Sequence, residues 1–119
     1  MAKAYGRSKL GTVLFTRALA RRLEGKGVTV NAVHPGAVAT GIWNYAPGWL
    51  QPVIWLAKKL IMITPEKAAK SIVQLASSAE VEAKTGLYFN RFEPQEPSKL
   101  ARDELAEKLW AESARLVKL

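Results

Sequence analysis

The sequence predicts an α/β architecture in which helices join parallel strands. Segments whose apolar residues recur at helical spacing alternate with short β-branched or aromatic runs. Strands separated by helices pair in parallel. Such a sheet needs both faces covered, and two strands make a poor one, so the order helix, strand, long connection, helix, strand, helix reads as the end of a larger doubly wound fold.

The first helix is expected over residues 4–23, with Leu10, Val13, Leu14, Ala18 and, less regularly, Leu23 forming one apolar stripe. Arg17, Arg21 and Arg22 fall late in it, where cations suit the negative end of the helix dipole. Gly25 and Gly27 stop it. Residues 28–34 read as a strand buried on both faces, ended by Pro35-Gly36. A connection over residues 41–63 holds a Pro47-Gly48 turn and a short helical segment, residues 52–63, with Pro52 in its first turn. Thr64-Pro65-Glu66 is a helix start, followed by Ala68, Ala69, Ile72, Val73, Leu75 and Ala76 as the apolar face. Residues 86–90 give a second short strand and residues 94–97 a loop. Ser98 is placed to cap a last helix with a stripe of Ala101, Leu105, Leu109 and Leu116.

At 119 residues the chain is one domain at most, with 49% hydrophobic and 24% charged residues, an ordinary globular balance. The absence of cysteine removes disulfides, thiolate metal sites and cysteine nucleophiles, and a single histidine removes histidine-rich metal sites. No metal is expected. The net charge of +8 sits in residues 1–59, which hold nine cations and Glu24 alone; residues 60–119 balance. A basic half attracts nucleic acid, an anionic membrane or a phosphate-bearing cofactor without choosing between them. The polar start has no apolar leader-like run, and no stretch reaches the ~18 apolar residues of a membrane span, so a cytoplasmic location is expected.

Tyr5 and Lys9 are four residues apart, which puts a phenol and an ammonium on one helix face. A neighbouring cation favours a phenolate, so the pair suits general acid–base work. Taken alone, the spacing reads first as an ordinary solvated pair.

The residues beyond the pair shift the balance toward chemistry. Tyr5-Gly-Arg-Ser-Lys9 leads into Leu10, an amphipathic helix, Gly27-Val-Thr-Val-Asn-Ala-Val-His34, Pro35-Gly36 and Thr40. The chain resembles the C-terminal portion of a short-chain dehydrogenase/reductase over nearly its whole length. Lys9-Leu10, Leu14-Phe15-Thr16, Val33-His34-Pro35-Gly36 and Leu109-Trp110 point to the retinol dehydrogenase-like branch. The resemblance implies a Rossmann-like doubly wound parallel sheet, of which residues 1–119 are the C-terminal segment of a single domain. It implies an NAD- or NADP-dependent oxidoreductase that interconverts an alcohol and a carbonyl. Tyr5 would exchange the proton and Lys9 would hold the nicotinamide ribose. Pro35, Gly36, Val38 and Thr40 would run along the nicotinamide and pyrophosphate. The family's glycine-rich phosphate turn is absent from these residues. Its serine and asparagine precede the tyrosine, and only four residues precede Tyr5. The chain alone is therefore expected to be inactive.

His34, at the strand's end, is read as a packed or hydrogen-bonded structural histidine ahead of a proton shuttle. Trp43, Tyr45, Trp49 and Trp55 fall where the family lids its substrate, and large aromatics there suit a lipophilic alcohol or carbonyl as readily as they suit core packing. A membrane-surface role for Trp55, Lys58 and Lys59 ranks last, because the segment is short and its lysines fall together. No nucleic-acid motif is present, and self-association is expected. The rival function is a non-catalytic, truncated interaction module.

Overall fold

A computed structural model of the chain describes residues 2–39 and 45–118. Helix α1 spans Ala2–Arg22. Its last cations are followed by Gly25 and Gly27, both at positive φ (+74° and +70°), where the chain leaves the helix at little steric cost. Strand β1 spans Ala32–His34. The connection after it contains a 3-10 turn, Gly48–Leu50, and helix α2, Gln51–Leu60, with Pro52 in the first turn as its sequence predicts. Helix α3 spans Pro65–Ser77, and its Thr64 cap accepts the Lys67 N–H at 3.3 Å. Its Glu66 carboxylate is held below its usual pKa, first by its own backbone N–H and then by the Thr64 hydroxyl. Strands β2, Tyr88–Asn90, and β3, Glu93–Pro94, precede helix α4, Asp103–Val117.

The sheet order is β1-β2-β3. β1 and β2 are parallel with Val33 opposite Phe89, and β3 is antiparallel to β2. Parallel pairing across helices is the predicted feature. The small mixed sheet is a partial α/β structure in which only β1–β2 is parallel. β3 arises where a loop is expected. The Gln95 N–H reaches back to the Tyr88 carbonyl at 2.8 Å, so the chain turns at Arg91-Phe92 and briefly pairs with its own strand.

The first strand is shorter and more exposed than the sequence predicts. Residues 28–31 are not strand, and Val28 and Thr29 are exposed. The reason is partner length, since β2 offers only three ladder residues. Side chains complete the contact upstream. Val30 N–H donates to Thr85 Oγ1 (3.0 Å), and Asn31 bridges to the Lys84 carbonyl (2.8 Å) and the Leu87 N–H (3.0 Å). Asn31 thus acts as a side-chain rung between two backbone rungs, Gly86 N–H to the Val30 carbonyl at 2.7 Å and Ala32 N–H to the Leu87 carbonyl at 2.9 Å.

The main packing seam lies between α1 and α4, not between α1 and the sheet. Leu14, Ala18, Ala101 and Ala106 form a buried cluster, with Leu10, Val13, Leu105, Leu109 and Trp110 packed against it. Phe15 stacks on Trp110 with ring centroids 5.5 Å apart. The sheet side of α1 uses a second set: Thr16 and Ala20 are buried, and Ala20 faces the Gly86 backbone.

The arginines that suit the end of α1 also hold α4. Arg17 and Arg21 pair with Asp103 at 2.6 and 2.8 Å, and Arg21 and Arg22 pair with Glu107 at 2.9 and 2.7 Å. The Arg22 guanidinium also lies 4.2 Å from the Trp110 ring centroid. The Arg17 hydrogen bond first, and the neighbouring positive charges after it, hold the Asp103 carboxyl below its usual pKa. Glu107 is lowered likewise, first by its hydrogen bond to Arg22.

Three further expectations give way. Ser98 does not cap α4: its Oγ accepts the Leu100 N–H at 3.3 Å and closes a separate turn, and Arg102 precedes the helix without a side-chain cap. Leu116 is exposed and lies outside the α1–α4 cluster. On α3 it is Ala68 and Ser71 that are buried, while Ile72 and Val73 face solvent. The three-stranded sheet is too narrow to cover that helix face.

Candidate active site

Tyr5 and Lys9 lie exposed on the first half of α1, whose Leu10 packs against the α1–α4 cluster. The Lys9 ammonium stands 5.4 Å from the centroid of the Tyr5 ring, and Tyr5 is 67% exposed. The predicted shared face is thus formed. Ser8 Oγ donates to the Tyr5 carbonyl at 2.8 Å, a bond local to the helix.

Lys9 lines a cleft of about 600 Å³ between α1 and residues 95–101, together with Lys3, Arg7, Leu10, Tyr88, Gln95 and Leu100. Its walls are mostly apolar, and its charged lining residues are Lys3, Arg7, Lys9 and Glu96. A second cleft of about 700 Å³ opens at the C-terminal ends of β1 and β2, lined by His34, Gly36, Asn90, Arg91, Glu93 and Gln95 among others. In open α/β sheets ligands bind outside the carboxyl ends of the parallel strands, and this cleft is in that place. Gln95 lines both clefts, so they adjoin.

Pro35-Gly36 leads the chain out of β1 toward Val38. Gly36 has φ +99°, a backbone conformation that side chains strain to adopt. A Cβ built there would lie 3.1 Å from Arg91 Nε and 3.2 Å from Ile63 Cδ1. The glycine is therefore required by the turn and by its packing, a cause separate from close approach to a ligand. The segment is then pinned. Ile63 N–H donates to the Ala37 carbonyl at 2.9 Å, and Ala39 N–H donates to the Ile63 carbonyl at 3.0 Å, making a parallel bridge between Val38 and Ile63. Arg91 N–H donates to the His34 carbonyl at 2.8 Å and fixes the strand's exit.

The predicted residues are thus distributed over two adjoining places: Tyr5 and Lys9 on α1, and Pro35, Gly36 and Val38 at the end of β1. Thr40 and Trp43 lie outside the described residues. His34 is exposed and lines the second cleft, so of the packed or hydrogen-bonded role expected of it the packed form does not hold, because β1 ends at the sheet rim. Tyr45, Trp49 and Trp55 are exposed, so core packing is not their use here. Sequence reasoning missed Arg91 and Gln95. Both sit in a stretch that reads as plain loop, and the available signal is its position just past a strand's C-terminal end.

A family profile described as enoyl-(acyl carrier protein) reductase matches residues 1–86. The chain is 43% identical over 125 residues to human retinol dehydrogenase 13, aligning 98% of itself with 37% of that protein. It is 44% identical over 118 residues to human retinol dehydrogenase 14, covering 97% of itself and 35% of that protein. Mouse retinol dehydrogenase 12 is 37% identical over 117 residues, with 98% of the chain and 36% of that protein aligned. The chain spans about a third of the length of these curated relatives. With most of the chain matched by the profile and nearly all of it by these relatives, the protein belongs to the short-chain dehydrogenase/reductase family.

Proposed function

We propose that this chain supplies the proton-transfer and nicotinamide-side part of an NAD- or NADP-dependent oxidoreductase that interconverts an alcohol and a carbonyl. The observation that carries the reading is the Tyr5–Lys9 pair, an exposed phenol with an ammonium 5.4 Å from its ring. In carbonyl reduction the Tyr5 hydroxyl gives its proton to the carbonyl oxygen. In alcohol oxidation the Tyr5 oxygen receives the alcohol proton. The Lys9 charge stabilises the negative charge left on that oxygen when the proton departs, and so favours both proton donation in reduction and the phenolate base in oxidation. When bound, the dinucleotide supplies or accepts the hydride.

The residues present fit the nicotinamide half of such a cofactor. Lys9 offers three N–H donors to ribose hydroxyls. The segment through Pro35, Gly36 and Val38 is held rigidly beside an open cleft at the sheet's carboxyl end. Thr40 would offer a hydroxyl to phosphate. For the pyrophosphate half, none of the 119 residues forms a Gly-x-x-x-Gly-x-Gly turn. This favours weak dinucleotide binding by the chain alone.

The substrate side is read as lipophilic and retinol-like. The mostly apolar cleft beside Lys9 and the aromatic run Tyr45, Trp49 and Trp55 support it, with Trp43 in the same run. The relatives' names point the same way. The test is a dehydrogenase assay on a chain extended to carry a glycine-rich phosphate turn. Long-chain and retinoid alcohols are compared with short polar ones, each with NAD and with NADP, by tracking reduced nicotinamide. Turnover favouring the lipophilic alcohols is expected. Turnover of none, or of the polar alcohols alone, would overturn the reading.

A further inference from the structure

Between α3 and the exit of β1 lies a third recess, of about 300 Å³. Pro35, Ile63 and Phe92 give it apolar walls, and its charged lining residues are Lys67, Lys70 and Arg91. It shares Arg91 and Phe92 with the cleft at the strands' carboxyl ends and lies on the α3 side of them. No carboxylate lines it. Glu66, one turn before Lys70, stays outside it, and Glu93 lines the neighbouring cleft instead. Lys67, Lys70 and Ser71 share one face of α3 by their spacing. Ser71 is 1% exposed, and its hydroxyl donates to the Ala68 carbonyl at 2.8 Å. The donors left to a ligand are therefore the three cations. Among the described residues, none of their three side chains makes a hydrogen bond or an ion pair.

Arg91 is the cation whose placement is most determined. It has φ +58°, a left-handed conformation that a side-chain-bearing residue keeps only where its surroundings hold it. The hold is the tight turn between β2 and β3, with the Arg91 N–H on the His34 carbonyl at 2.8 Å. The guanidinium then lies over Gly36: Arg91 Nε and Nη2 stand 3.1 and 3.5 Å from where a Cβ of residue 36 would be. The missing side chain at 36 is the room the guanidinium occupies. Cations gathered around one small recess repel one another, and a bound anion offsets that repulsion. A planar guanidinium fork matches the two oxygens of a carboxylate. The apolar walls suit a hydrocarbon body attached to it. Inorganic phosphate would satisfy the cations and leave those walls unfilled; an uncharged alcohol would do the reverse.

We propose that this recess binds a small organic carboxylate, its oxygens on Arg91, Lys67 and Lys70 and its body against Pro35, Ile63 and Phe92. This stands independently of the oxidoreductase reading. The test is calorimetric titration of the chain with benzoate and with hexanoate, against benzyl alcohol and inorganic phosphate. Saturable binding of both carboxylates, one per chain and weakened by salt, is expected. The alcohol and the phosphate should bind at least about tenfold more weakly. Arg91→Gln and the double variant K67Q/K70Q should each weaken benzoate binding about tenfold, through lost charge-assisted hydrogen bonds. Phe92→Ala should weaken it about threefold, through lost apolar contact. Lys99→Gln removes an exposed cation outside the recess and should leave binding unchanged. Circular dichroism of each variant checks that the fold is kept, and K67Q/K70Q, both on the surface of α3, carries the test if Arg91→Gln disturbs its turn. Phosphate bound as tightly as benzoate, an equal loss in Lys99→Gln, full affinity in K67Q/K70Q, or no saturable binding of either carboxylate would each overturn the proposal.

Discussion

At the scale of single residues, Lys9 and Gly36 separate chemistry from architecture. Lys9 is exposed on a stable helix, so Lys9→Ala leaves the fold intact. In the extended, cofactor-competent protein it is expected to weaken dinucleotide affinity and to lower turnover together, since one ammonium serves both ribose and phenol. Calorimetric titration beside a turnover assay checks this, and loss of one without the other would separate the two roles. Gly36 is different. Its φ of +99° and the 3.1 Å approach to Arg91 make Gly36→Ala a backbone change. A destabilisation of about 1–3 kcal/mol is expected, read as a lowered midpoint in denaturant. A stability equal to that of the parent would show that the turn relaxes freely.

Among the elements, the α1–α4 seam sets two kinds of interaction against each other. Leu14 is 4% exposed, and Leu14→Ala is expected to cost about 2–5 kcal/mol. The Asp103 side chain is 55% exposed, so Asp103→Asn is expected to cost under about 1 kcal/mol despite its short bonds to Arg17 and Arg21. The apolar cluster therefore holds α4 and the ion pairs align it. The pH dependence comes from the lowered carboxyl groups on Asp103 and Glu107. Their contribution is complete above the ordinary carboxylate range and is lost as the pH falls through the lowered values. Melting of α4 monitored by Trp110 fluorescence should move to lower temperature on acidification, and the Asp103→Asn protein should move less. An unchanged pH response in that variant would show that Asp103 plays no part in it.

How far these elements were legible depends on whether local or distant residues decide them. Thr64-Pro65 and Gly25 carry their own capping chemistry, so the start of α3 and the end of α1 are readable. Tyr5 and Lys9 are related by helix pitch alone, and so is their shared face. By contrast, the length of β1 depends on β2, which lies far along the chain. The partner of Leu14 and Ala18 depends on where α4 lands, which no spacing within α1 encodes. The outward direction of α2, whose Val53, Leu56 and Leu60 are exposed, is unreadable for the same reason: the sequence contains an amphipathic helix but not the surface it turns toward.

For the whole molecule, the surface is too large for its mass. The accessible area is 9148 Å², against about 6,400 Å² for a compact protein of this mass. The radius of gyration is 16.9 Å, against about 13.5 Å for a compact domain of this length. Ile72 and Val73 on α3, and one edge of β1, contribute to the open surface. The isolated chain is therefore expected to self-associate or to be only partly ordered, as light scattering and amide exchange would show; a monodisperse monomer strongly protected through residues 28–33 would contradict this. The same open surface is what a rival reading as a non-catalytic interaction module would use, and chemistry distinguishes the two. The proton-transfer role is probed most closely by Tyr5→Phe in the extended protein, with alcohol turnover and dinucleotide affinity measured on the same preparation. Phenylalanine keeps the ring and removes only the exchangeable proton, so turnover is expected to fall by a factor of about 100 or more with dinucleotide affinity nearly unchanged. Turnover equal to that of the parent protein would contradict the assignment of Tyr5 as the proton-transfer group.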